Sequence, residues 1–179
     1  MSEIKSKSGN KKRKMRSASR LYAVQALFQM EQSGQTSDVV LREFLQHRFG
    51  ANYEGLQLEQ GDVQLFTQIV NDAVNHQARI DQITDRALVT NWPLRRIDPT
   101  LRALFRAAAV ELLNTDTPPK IIIVEYVDLA GAFFPGRKEP SFANAVLDHM
   151  AREIQPKGFW TSTDFSIFIR LFNHQFKFF

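Results

Sequence analysis

The 179-residue sequence contains no cysteine, which excludes disulfide bonds and thiolate metal sites. The absence fits a reducing cytoplasm, although many secreted chains lack cysteine too. No apolar run approaches the roughly 18 residues of a membrane span. The basic N-terminus is not followed by the apolar segment and small-residue cleavage site of a signal peptide. We therefore expect a soluble cytoplasmic protein without a membrane-spanning segment, and no membrane partner for the helical domain.

Catalytic motifs are also missing. With only eight glycines, the chain has neither a G-x-x-x-x-G-K-S/T nor a G-x-G-x-x-G loop to hold phosphates. No serine or threonine lies in the sequence context of a nucleophile elbow. The histidines fall in separate predicted elements without ligand spacing, and they are His47, His76, His149 and His174. We expect no catalytic residue, metal or cofactor, and so a protein that is not an enzyme.

The apolar residues that are present, 44% of the chain, recur mostly at helical spacing. Asp62 precedes one such pattern, and Asp98-Pro99 combines an acidic N-cap with proline at the first helical position. Ile121–Val124 is β-branched enough for a buried strand, but the length of the segment and the lack of a second strand favour a helix. These patterns predict an all-α fold.

Other boundaries complete the predicted helices. Asp38 resembles an N-cap, Gly50–Gly61 resembles a loop, and Ser141–Glu153 forms the last regular helix. We divide the chain into a basic N-terminal arm (1–16), a helical domain (17–154) and an aromatic C-terminal extension (155–179). For this extension three interpretations stay open: a helix packed on the body or across a dimer, a membrane-surface helix, or a segment without function.

Positive charge is concentrated at the N-terminus. Residues 1–20 hold eight Lys or Arg and one acid, a net charge of +7, whereas the whole chain carries +4. The remaining residues therefore sum to −3. A concentrated basic segment on a slightly acidic body favours a dedicated nucleic-acid contact. A disordered solubilising tail is the simpler alternative.

The basic segment runs directly into a predicted helix over Leu21–Met30. Arg13, Arg16 and Arg20 fall on about the same meridian of that helix as its apolar residues. We therefore expect the helix to extend beyond the core at its N-terminal end and to carry the cations there. The candidate cations of this arm for a nucleic-acid contact are Lys12, Arg13, Lys14, Arg16 and Arg20.

Four stretches in the right order and at the right spacing resemble the NusB transcription antitermination family. They are 23–28 (AVQALF), 101–113 (LRALFRAAAVELL), 119–130 (PKIIIVEYVDLA) and 141–148 (SFANAVLD). The resemblance covers roughly residues 13–154. It departs from the family pattern where Ser17-Ala18-Ser19 interrupts the arginines, where Val124 replaces an asparagine, and in the aromatic extension.

The resemblance implies a compact fold of about seven helices in two small bundles. It also implies binding of boxA-type single-stranded RNA together with NusE, a small-subunit ribosomal protein, in an antitermination complex on RNA polymerase. The implied role is in the transcription of ribosomal RNA operons. The choice between monomer and homodimer stays open.

The resemblance adds candidate residues to the arm. Phe142 and Asn144 could stack on and hydrogen-bond to bases, while Arg137 and Lys138 add charge. Phe142 could equally pack in the core, and Asn144 could be a local helix hydrogen-bonder. Phe28, at the end of the first helix, is the candidate NusE contact, with a core role as its alternative.

Two other functions compete with this prediction. A protein–protein adaptor would use the arm only as a solubilising tail. An accessory domain of an RNA methyltransferase would need a downstream cofactor-binding domain and a catalytic cysteine, and this chain has neither.

Overall fold

The computed structural model describes residues 2–88, 93–114 and 117–155. Within these residues the fold is all-α, as predicted, with seven α-helices. They are α1 (Ser2–Ser33), α2 (Ser37–His47), α3 (Val63–Asn75), α4 (Gln77–Ala87), α5 (Pro99–Asn114), α6 (Pro119–Phe133) and α7 (Glu139–Ile154). Apart from Gln155, the aromatic extension lies outside the described residues.

The helices pack in two groups that share one core. α1, α2 and α3 contact one another, while α5 and α7 contact each other and both contact α4 and α6. α5 joins the groups because it packs on both α1 and α3, and its Ala107–Ala109 run is fully buried, which lets neighbouring helices approach closely. The fully buried large aromatic side chains of this core include Phe44, Phe66, Phe105 and Tyr126.

Most predicted helix boundaries are confirmed. Asp62 caps α3, because its carboxylate accepts a hydrogen bond from the Leu65 N–H at 3.1 Å. Asp98 accepts a 2.7 Å bond from the Thr100 N–H at the start of α5. The ambiguous Ile121–Val124 segment is helical within α6, because two of its four side chains point into the helical core and no strand lies beside it among the described residues.

Two local predictions were wrong. The N-cap of α2 is Thr36, and Asp38 lies in the first turn, where the helix dipole favours its charge. The predicted loop Gly50–Gly61 contains a small antiparallel hairpin, β1 (Asn52–Tyr53) and β2 (Leu56–Gln57), whose turn places Gly55 at φ 86°. A hairpin of two residues per strand is too short to show an alternating apolar pattern.

Candidate nucleic-acid interface

The basic arm is the exposed outer part of α1. Every residue of Gly9–Lys14 is exposed, so this part of the helix projects beyond the helical body. Successive side chains of an α-helix are about 100° apart, so four consecutive cations point in different directions around the axis. The arm therefore presents positive charge on all its sides through Lys11, Lys12, Arg13 and Lys14.

The arm meets the body at Arg16 and Ser17. The Arg16 side chain is 31% exposed, donates a 3.2 Å hydrogen bond to Thr117 Oγ1 and lies 4.0 Å from the Glu111 carboxylate. Ser17 Oγ donates a 2.5 Å bond to Glu125 on α6. These contacts fix the direction in which the arm leaves the body.

Arg20 is buried, contrary to the expectation that it binds RNA together with the exposed cations of the arm. The residue is 2% exposed, and its guanidinium forms two 2.8 Å hydrogen bonds to Glu111 and a 3.2 Å contact with Glu125. No phosphate can reach a guanidinium enclosed in this way without breaking the ion pair. Arg20 therefore joins α1 to α5 and α6 inside the fold.

A buried polar cluster surrounds Arg20, and sequence reasoning missed it. The Tyr126 hydroxyl donates to Glu111 at 2.9 Å, and Glu111 is fully buried. Burial, together with the Glu111 charge, raises the pKa of Tyr126 well above its usual value. Burial is the largest single effect on the pKa of Arg20 and lowers it, but the hydrogen bond to Glu111 and the charges of Glu111, Tyr126 and Glu125 together outweigh burial. The pKa is therefore raised, and Arg20 stays charged. A lone acid within the apolar run Val110–Leu113 was the available sequence signal.

Phe142 and Asn144 lie at the beginning of α7. The Phe142 ring is half-buried and packs edge-on against Phe105, with centroids 6.1 Å apart and planes at 66°. Asn144 is half-buried, and its amide makes no hydrogen bond to any residue in the described part of the chain. Phe142 thus has a packing role, and Asn144 keeps its hydrogen-bonding capacity.

The loop before α7 supplies the other predicted cations. It turns at Gly136, whose φ of 71° is the left-handed conformation that glycine adopts without a steric cost. Arg137 and Lys138 follow it and are exposed, and Arg137 lies 3.7 Å from Glu139. These two cations are therefore adjacent to Phe142.

The structure does not bring the arm and the Phe142 region together. Helices α1 and α5 are antiparallel, with Arg20 beside Glu111 and Glu31 beside Arg102. Because Phe142 packs on Phe105, it lies about 9 Å along α5 from the level of Glu111, at 1.5 Å per residue. The arm extends in the opposite direction. A ligand that contacts both regions must be long and extended.

Phe28 lies on a separate groove of about 500 Å³ between α1, α2 and the end of α6. Its side chain is 37% exposed, so the core alternative for Phe28 does not hold. Phe133 and the Arg48 side chain also line this groove. An exposed aromatic residue in a partly apolar groove is typical of a protein contact.

None of the helices in the described ranges is long and apolar enough to cross a membrane. The described residues also include no cluster of three or more His, Asp or Glu side chains that could hold a metal ion.

Comparison with known proteins identifies the family. The model of the NusB family matches residues 17–152. Over 156 residues the chain is 42% identical to the transcription antitermination protein NusB of Granulibacter bethesdensis, covering 84% of this chain and 95% of that protein. It is 46% identical over 139 residues to NusB of Caulobacter vibrioides, covering 77% and 93%.

Solved structures agree on the fold. NusB of T. maritima superimposes with a TM-score of 0.64 at 25% identity, covering 79% of this chain and 93% of that one. A complex of antitermination factors NusB and NusE with dsRNA contains a chain with a TM-score of 0.63 at 21% identity, covering 76% and 96%. The family match, the curated relatives and the shared fold together establish that this chain belongs to the NusB family.

Proposed function

We propose that this protein is an RNA-binding transcription antitermination factor that acts in the cytoplasm without catalysis. It binds boxA-type RNA together with NusE, within an RNA polymerase complex that transcribes ribosomal RNA operons. The observation that carries the proposal is the match to curated antitermination proteins over more than three quarters of the chain.

The exposed arm supports the RNA-binding part of this proposal. Lys12, Arg13 and Lys14 project from the body in different directions, and Arg16 follows at its edge. Cations on a projecting helix can follow a flexible phosphate backbone without being matched to one conformation. The proposed division therefore has residues 1–16 as an RNA-binding arm and residues 17–154 as the body that orients it.

The two ends of the site have different roles in the proposal. The arm contacts phosphates, whereas Phe142 and Asn144 contact bases, with Arg137 and Lys138 adding charge beside them. Since these ends lie far apart along α5, the RNA must be extended between them. An extended single strand can follow this path and leaves its base edges unpaired, whereas a rigid duplex hides them.

Phe28 is the proposed contact for NusE. It lies with Phe133 in the groove between α1, α2 and α6, away from the exposed arm. NusE bound there would therefore leave the arm accessible to RNA.

The test is fluorescence anisotropy with a short boxA RNA, a base-scrambled RNA and a boxA duplex, each with and without purified NusE. We expect preference for single-stranded boxA, strengthened by NusE. Phe28→Ala should remove the strengthening and leave binding of RNA alone unchanged. Leu45→Ala, which removes another exposed apolar side chain on α2, is the matched control.

Equal affinity for the three RNAs, with no response to NusE, would contradict the proposal and favour an adaptor whose arm is a solubilising tail. Tighter binding to the duplex than to the single strand would contradict only the proposal that the bound RNA is single-stranded.

A further inference from the structure

A second groove, here called the arm-side groove, opens where the arm joins the body. It has a volume of about 540 Å³, which is within the range of small-ligand sites. Its walls come from α1, the beginning of α3 and the connection from α5 to α6. Its lining residues are Arg16, Asp62, Gln64, Leu65, Gln68, Asn114, Thr117 and Pro118.

The lining is rich in side-chain amides. Gln64 and Gln68 are one turn apart on α3 and so lie on the same face of that helix. Neither glutamine amide hydrogen-bonds to another residue in the described ranges. Asn114 faces the same space and donates to Asp72 at 3.2 Å, which leaves its carbonyl oxygen to accept. The groove therefore offers several unused donors and acceptors close together.

The walls of the groove are held in place before any ligand binds. The Asp62 N–H donates to the Met15 carbonyl at 3.3 Å, and Ser19 Oγ donates to the Asp62 carbonyl at 2.8 Å. On the other wall, Arg16 bonds to Thr117. A site fixed by such contacts loses little conformational entropy on binding.

The charge of the lining indicates which part of an RNA it suits. Arg16 and Asp62 are the only charged residues of the lining, so its formal charge is neutral, whereas the neighbouring arm is strongly positive. Phosphates would be attracted to the arm, about one helical turn away. Amide groups beside the exposed apolar surface of Pro118 instead match the polar edge and flat face of a base.

On the basis of the proposed function, we propose that the arm-side groove binds one unpaired nucleobase of the RNA whose phosphates lie on the arm. Gln64 and Gln68 hydrogen-bond to the base edge, and Arg16 lies between the base and the backbone. This base would be separate from those at Phe142, so the protein would read the strand at two places.

The test combines a base scan with substitutions in the groove. Single abasic nucleotides are placed along the boxA RNA, and each RNA is titrated with the wild type and with Gln64→Ala/Gln68→Ala. We expect one abasic position to weaken wild-type binding about tenfold, which is within the range for a bidentate base contact. In the variant that position should have no further effect, because the partner groups are already missing.

Gln46→Ala/Gln82→Ala is the matched control, because both residues are exposed glutamines on other helices. Thermal unfolding of the variants should match the wild type, since alanine is a good helix former. The groove assignment would be overturned if the losses of affinity from the substitutions and from an abasic nucleotide added at every position, or if the variant lost no affinity. In either case the arm-dependent preference for boxA would still stand. A variant that instead weakens NusE binding would overturn it in favour of a protein contact. If the wild type shows no boxA preference, both the proposed function and this assignment fail.

Discussion

The outer and inner parts of α1 carry the same type of residue in opposite environments. Arg13, in the outer part, is exposed on a projecting helix, whereas Arg20 is buried two turns later against Glu111 and Glu125. Both arginines lie on the same meridian of the helix. They differ only because α5 and α6 pack beside α1 at Arg20 and do not pack beside it at Arg13.

The comparison shows that an arginine's position relative to the body decides its role in this arm. A buried guanidinium needs full compensation by hydrogen bonds and opposite charge, which Glu111 supplies in bidentate geometry. An exposed guanidinium is solvated by water, so leaving it without an ion-pair partner costs little free energy. It therefore stays available to an external phosphate. Arg16, 31% exposed and near Glu111, lies at the transition between the two.

The largest expected effect is at Arg20. Arg20→Ala should lower the free energy of unfolding by about 3–5 kcal/mol, because it leaves the buried carboxylate of Glu111 without its cation. Arg13→Ala should change it by less than about 0.5 kcal/mol. Urea unfolding followed by circular dichroism measures both. Similar small losses for the two variants would show that Arg20 is not held in the core.

The second prediction concerns RNA binding, for which the exposed cations of the arm should matter and the stability of the fold should not change. Lys12→Ala/Arg13→Ala/Lys14→Ala should make the slope of log K against log salt shallower by about 2 units, at roughly 0.7 per phosphate on a single strand. Its stability should be unchanged, because these side chains are exposed.

The control triple is Arg42→Ala/Arg79→Ala/Arg96→Ala, which removes the same charge from exposed positions on the body. Its slope should stay close to that of the wild type. Equal changes in the two triples would mean that overall charge, and not the arm, attracts the RNA.

The third prediction separates the packing and binding roles of Phe142. Phe142→Leu keeps apolar volume but loses the edge-on contact with Phe105, so stability should fall by about 1 kcal/mol. The weakening of boxA binding should exceed that of scrambled RNA. Arg20→Lys, which perturbs the core from α1, should not change the ratio of the affinity for boxA RNA to the affinity for scrambled RNA. Equal weakening for both RNAs would leave Phe142 with packing alone.

The sequence predicted the elements whose signals are local. Asp62 and Asp98 mark the beginnings of α3 and α5 because a cap acts within three residues. The length of the segment and the lack of a second strand predicted α6 despite its β-branched run. The pairing of Arg20 with Glu111 crosses 91 residues, and no local pattern indicates it. The meridian shared by Arg20 and Val24, and the lone acid within the apolar run Val110–Leu113, indicate burial of each residue but not their pairing. The arm-side groove likewise joins three distant segments.

The smallest expected effect concerns Glu31, at the end of α1 opposite the arm. Hydrogen bonding to Arg102, with help from Arg106, lowers the pKa of Glu31 in the folded protein. A carboxylate with a lowered folded pKa adds stability above its unfolded pKa and loses it as the pH falls through the folded value. Since unfolded glutamates titrate near pH 4.3, this loss should occur between about pH 5 and 3.

Glu31→Gln should therefore cost at most about 1 kcal/mol at pH 7, as for a partly exposed ion pair, and almost nothing at pH 3. Urea unfolding at the two pH values measures the difference. Glu54→Gln, on an exposed turn, should show no difference between them. A cost for Glu31→Gln that is as large at pH 3 as at pH 7 would mean that Glu31 acts through packing and not through its charge. In that case charge would hold α1 to the body at Arg20 but not at Glu31.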